Sequence, residues 1–90
     1  MLRELASREK VIGAKQSRRA LRDGRAARVF LASDADPALT EPLALLCRET
    51  GVPLERGGTM EELGRAAGIQ VGAAVVALLR RGVCPETQKN

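Results

Sequence analysis

The sequence predicts an α/β fold: a three-layer α-β-α sandwich built on a small four-stranded sheet. Three observations lead there. Helical and extended patterns alternate along the chain in the order α-β-α-β-α-β-α-β, which places helices on both faces of a sheet. Two stretches, residues 27–33 and 73–79, are nearly continuous apolar runs, as expected of central strands covered on both sides. The two other extended stretches are short, which suggests a central pair flanked by weaker edge strands.

Taken in order, Leu2, Leu5 and Ala6 recur at helical spacing and predict a short amphipathic helix over residues 2–10. Val11 and Ile12 form a strand stub ending at Gly13. Residues 15–23 read as a helix with a narrow apolar side, Ala20 and Leu21, and a stop at Gly24. The run from Ala27 to Ser33 predicts a buried strand. Asp36 before Pro37 is a helix N-cap followed by proline at the first helical position. Leu39, Leu43, Leu46 and Cys47 then mark an apolar stripe. Because an interior proline costs about 3 kcal/mol, Pro42 predicts a separate first turn at 37–40 and a main helix over 40–50, closed by Gly51.

Residues 52–56 read as a short strand, with Pro53 confining it to an edge or to the strand's start. Gly57-Gly58 is a turn, and Thr59 with Glu62 forms a capping box opening a helix buried through Leu63, Ala66 and Ala67 and ended by Gly68. Residues 69–72 form a tight linker, residues 73–79 the last strand, and Arg80, Arg81 and Gly82 its end. One domain over residues 1–82 and a polar tail over 83–90 account for the chain.

Composition narrows the function. Phe30 is the only aromatic residue, so stacking platforms for single-stranded nucleic acid are excluded. No histidine is present, which removes the commonest general base, and Cys47 and Cys84 have no metal-ligand spacing. Cys47 reads as core and Cys84 as incidental. Asp34 and Asp36 could hold a metal or phosphate-bound magnesium, but a loop and helix cap explain them locally. Gly57-Gly58-Thr59 lacks the lysine of a phosphate loop, and Glu61 and Glu62 would repel an anion. No catalysis and no cofactor are expected. No apolar run is long enough to span a bilayer, so no membrane partner is expected, and the expected location is cytoplasmic.

The net charge is +4 and the isoelectric point about 9.8, and the excess is local. Residues 1–30 carry nine cations and three carboxylates (9 − 3 = +6), whereas residues 31–90 carry six and eight (6 − 8 = −2). Lys15, Gln16 and Arg19, just past Gly13, combine two cations and an amide at helical spacing, a face suited to a polyanion with hydrogen-bond acceptors. A solvated helix face is the plainer alternative.

Four stretches carry a resemblance. Gly13-Ala14-Lys15-Gln16-Ser17-Arg18-Arg19 resembles the Gly-x-(Asn/Lys)-(Glu/Gln)-x-x-(Lys/Arg) signature of the ribosomal-protein family that recognises RNA kink-turns. This is the superfamily of the archaeal large-subunit kink-turn protein and its eukaryotic and bacterial relatives. Residues 29–37, 62–68 and 69–74 resemble its central strand with Asp-x-Asp-Pro, its Leu-Gly-(Lys/Arg)-Ala-x-Gly helix, and its recognition loop with the last strand. The match covers about residues 9–80 and is most similar to small bacterial members.

The resemblance implies an α-β-α sandwich on a mixed sheet that docks on kinked RNA: ribosomal RNA, a riboswitch or a similar structured RNA, within or beside the ribosome; the free protein is expected to be a monomer. It implies that Gly13 opens the site, Lys15 reads a guanine edge, Gln16 meets a G·A pair and Arg19 reaches base or backbone. It also implies that Arg65 holds a phosphate and that Ile69, Gln70 and Val71 pack on unstacked nucleotides. By pattern alone, Ile69 and Val71 alternate around Gln70 and point one way, toward the core; the resemblance turns them toward RNA. Arg18, Arg22 and Arg28 are bystander candidates for phosphate contact. Relatives often carry Asn and Glu where this chain has Lys15 and Gln16, and Gln, unlike Glu, can also donate. Asp23 sets a negative charge near the basic helix. Two other functions fit the same residues: a protein-interaction module of this fold, and a nonspecific basic RNA chaperone.

Overall fold

The computed structural model describes residues 9–80. Strand β1 (Lys10–Ile12) leads into helix α1 (Ala14–Arg22), strand β2 (Ala26–Leu31), helix α2 (Pro37–Thr50), strand β3 (Leu54–Arg56), helix α3 (Met60–Ala67) and strand β4 (Val75–Leu79). The sheet order is β1-β4-β2-β3. Strand β4 pairs antiparallel with both β1 (Val11 opposite Ala77) and β2 (Val29 opposite Ala77). Strands β2 and β3 are parallel, with Leu31 opposite Arg56, and α2 is their crossover. The sheet is therefore mixed, with the two most apolar strands at its centre.

Alternation along the central strands sorts the core into two layers. Val29, Leu31, Val75, Ala77 and Leu79 face α1 and α2, meeting Ala20, Leu21, Leu43 and Cys47. Phe30, Val76 and Leu78 face the other way, with Leu63 and Ala67 of α3. All five residues of β4 are buried, which explains why its sequence shows no polar alternation.

Several boundaries differ from the sequence reading. The helix expected over 2–10 falls mainly outside the described residues, and Lys10, its last residue, belongs to β1 instead. Helix α1 starts and ends one residue early. Helix α2 is continuous through Pro42. The proline removes the amide that would bond the Ala38 carbonyl, but Ala38 and Pro42 both lie on the exposed side of the helix, away from the core. Leu39 stays exposed, and the buried stripe of α2 is Thr40, Leu43 and Cys47. Pro53 precedes β3 rather than entering it; its carbonyl accepts from the Val29 amide at 3.0 Å. Ala73 and Ala74 do not extend β4, because the Ala73 amide bonds the Met60 carbonyl of α3. The polar tail and Cys84 lie outside the described residues.

Candidate nucleic-acid interface

Strands β1, β2 and β3 end, and β4 begins, at one end of the sheet, so four connections converge there. The Gly13 amide donates to the Val75 carbonyl at 2.8 Å, fixing the start of α1 beside the start of β4. The Ala32 amide donates to Ala74 at 2.9 Å and the Ser33 amide to Gly58 at 2.8 Å, joining the turns after β2 and β3. Gly13 has φ 106, a value that residues with a Cβ rarely adopt.

The three helix starts at or near this end differ. At α2, the Asp36 carboxylate accepts from the Ala38 amide at 2.9 Å. At α3, Thr59 and Glu62 form the expected capping box, and Asp34 Oδ1 accepts from the Met60 amide at 2.8 Å. Asp34 and Asp36 thus both act as helix caps, and among the described residues no group of three or more His, Cys, Asp or Glu side chains could hold a metal. The start of α1 has no capping side chain and no acidic residue in its first turn. Among the described residues no side chain caps its first amides, and with the helix dipole they favour an anion.

The exposed side of α1 carries Lys15, Arg18, Arg19 and Arg22 at i, i+3, i+4 and i+7, opposite the buried Ser17, Ala20 and Leu21. None of the four cations has a carboxylate partner among the described residues. By contrast, Arg25 pairs with Asp23, Arg28 with Glu55, Arg56 with Glu41 and Arg65 with Glu61. The negative charge of Asp23 is therefore directed at Arg25 rather than at the basic face. Gln16 is exposed on the flank of the stripe, next to Arg19. Arg18 and Arg22, read as bystanders, belong to the stripe; their spacing relative to Lys15 was the available signal. Arg28 is drawn across the sheet to Glu55.

The loop of residues 68–74 rises at the same end. Ile69 and Val71 do not point one way. Ile69 is half-buried on the α3 layer of the core, whereas Val71 is 71% exposed, the most exposed large apolar side chain among the described residues. Bends at Gln70 and Val71 interrupt the two-residue alternation that the sequence reading assumed. Gln70 is exposed. Arg65, one turn earlier, donates to Glu61 at 2.9 Å in an exposed pair of small energetic weight. The structure thus brings Gly13, Lys15, Gln16, Arg19 and the Ile69–Val71 loop to one end, with Ile69 facing inward. The backbone path depends on two glycines that composition alone did not mark. A Cβ at Gly64 would overlap the Val71 carbonyl oxygen, and one at Gly72 would press on Met60 at 3.2 Å.

Residues 2–86 match the family model described as the ribosomal protein L7Ae/L30e/S12e/Gadd45 family. The chain belongs to this family. L7Ae-family relatives include an RNA-binding protein of Geobacillus thermodenitrificans, 49% identical over 70 residues, spanning 78% of this chain and 85% of the relative. The RNA-binding protein YbxF of Geobacillus stearothermophilus is 47% identical over the same shares of both chains. Among solved structures, the Giardia lamblia 15.5kD RNA binding protein superposes with a TM-score of 0.81 at 30% identity, covering 90% of this chain and 69% of that one. A Bacillus halodurans protein of unknown function superposes equally well, with 27% identity and 90% and 85% coverage. The L7Ae-family fold accounts for the mixed four-stranded sheet between two helical layers.

Proposed function

We propose that this chain is a non-catalytic RNA-binding protein that recognises kink-turn RNA, in the cytoplasm and in association with the ribosome or another structured RNA. The observation that carries the reading is the cation stripe Lys15, Arg18, Arg19 and Arg22, without carboxylate partners among the described residues, rising from a helix start with no side-chain cap. Family membership and the RNA-binding names of close relatives support it.

The chemistry suits a distorted duplex. A regular A-form major groove is too deep and narrow for side chains. A kink flanked by G·A pairs opens it and presents guanine O6 and N7, two acceptors that match Lys15 and Arg19 as donors. Gln16 supplies an amide that can donate or accept at a G·A edge. Arg18, Arg22 and the first amides of α1 face phosphate, and Val71 offers an apolar contact to an unstacked nucleotide. Arg65 can exchange Glu61 for a phosphate at little cost, because the pair is solvent-exposed.

The test is titration of a labelled kink-turn RNA against the same RNA with both G·A pairs changed to Watson–Crick pairs. The kinked RNA is expected to bind more tightly, and Lys15→Ala to weaken it by about 1–3 kcal/mol with the fold intact. Equal affinity for the two RNAs would overturn the specific reading.

A further inference from the structure

Helix α3 has only eight residues and a glycine at its centre, so its sequence alone makes it a marginal helix. Yet its amino end is tied three times. Thr59 Oγ1 accepts from the Glu62 amide, Glu62 Oε1 accepts from the Thr59 amide, and Asp34, from the turn after β2, accepts from the Met60 amide. The first two bonds are local. The third crosses 26 residues of sequence and fixes α3 to the end of β2.

The other side of α3 carries the exposed loop. The Met60 carbonyl accepts from the Ala73 amide at 2.9 Å, the Gly64 carbonyl accepts from the Ile69 amide at 3.0 Å, and the Val71 carbonyl lies over Gly64 where a Cβ would stand. Met60 is thus held by Asp34 through its amide and holds the loop through its carbonyl. Helix propensity favours alanine over glycine at an interior position such as 64; the backbone lying against it opposes alanine.

We infer that Asp34 and Gly64 are positioning residues for RNA recognition: together they set the height and angle at which the loop presents Val71 at the end of the sheet where α1 starts. Neither needs to touch RNA. The inference rests on the RNA-binding reading above, and it separates two contributions. The α1 cations attract any phosphate backbone, whereas the loop placement confers preference for the kinked form.

The experiment measures wild type, Gly64→Ala, Asp34→Ala and Asp34→Asn against a fluorescein-labelled kink-turn RNA and a straight duplex of equal length, with thermal melts and amide spectra of each variant. Gly64→Ala and Asp34→Ala are expected to lose about tenfold in kink-turn affinity while duplex affinity stays within about twofold of wild type. Asp34→Asn keeps the acceptor oxygen and is expected to restore the preference. Amide signals of residues 69–73 should shift in both weakened variants, with those of residues 13–16 unmoved.

A wild-type protein that does not prefer the kinked RNA would overturn the RNA reading itself. A wild-type preference retained in folded Gly64→Ala and Asp34→Ala would overturn only the positioning roles. Parallel losses on both RNAs, failure of Asp34→Asn to restore the preference, or loss of the folded state in Asp34→Ala would also overturn them, because each indicates a merely structural residue.

Discussion

The salt dependence of RNA binding can be worked out from the α1 stripe. Four exposed cations stand there without a carboxylate partner among the described residues. Each phosphate neutralised contributes about 0.7–0.9 to the slope of log affinity against log salt, so Arg18 and Arg22, the two that face phosphate, contribute about 1.4–1.8. Raising salt from about 50 to about 200 mM then weakens binding by about 7- to 12-fold through these two contacts. Arg18→Gln with Arg22→Gln removes two charges and should lower the slope by about 1.4–1.8. The fold should survive, because α1 is anchored by Ser17, Ala20 and Leu21 on its opposite side. Fluorescence anisotropy of a labelled kink-turn RNA across a salt series reads the slope directly. Arg48→Gln, at the far end of α2, is the control and should leave it unchanged. A double variant with the wild-type slope, or a control that lowers it equally, would refute the assignment of phosphate contact to this stripe.

Two further outcomes follow from the core and the caps. Thr59→Ala removes the hydroxyl that accepts from the Glu62 amide, a loss of about 1 kcal/mol, and circular dichroism melts should show Tm falling by about 4–8 °C. Burial raises the Cys47 thiol above its ordinary pKa, so the folded state holds its proton where the unfolded state has lost it. The resulting stabilisation is full below the unfolded thiol pKa and is lost as pH rises through the folded value. Denaturant titrations of Cys84→Ser should therefore show stability falling in alkali, and Cys47→Ala in the same background should flatten that fall; identical pH profiles would contradict it.

The features legible in the sequence were those set by neighbouring residues. The Thr59–Glu62 box, the Asp36-Pro37 helix start and the glycine stop at Gly68 depend on local hydrogen bonding and all form as expected. The apolar runs identified the central strands because burial on both faces leaves no polar alternation. What the sequence hid depends on distant backbone. Ala73 and Ala74 look like strand, yet Ala73 is claimed by Met60, thirteen residues earlier in the chain. Pro42 looks like a break in sequence because its cost depends on whether the turn before it is buried, and Ala38 and Pro42 are both exposed. Lys15, Gln16 and Arg19 are visible in the sequence as a basic face, but the pairing of Arg28 with Glu55 and of Arg56 with Glu41 depends on where β3 and α2 place their glutamates. The orientations of Ile69 and Val71 depend on Gly64, a contact across the loop that no periodicity encodes.

The strand order has a temporal consequence. Strand β4 emerges last among the described elements, yet it is the only strand that β1 pairs with, and it separates β1 from β2. Until β4 arrives, β1 has no neighbour, and the first and last strands must close a loop spanning most of the domain, a slow step for a chain of this size. The bond between Gly13 and Val75 is part of that closure. During synthesis the basic helix is therefore made early, but its alignment with the loop waits for the final strand. A chain interrupted before Val75 would carry the positive charge without the bond that sets the start of α1 beside β4.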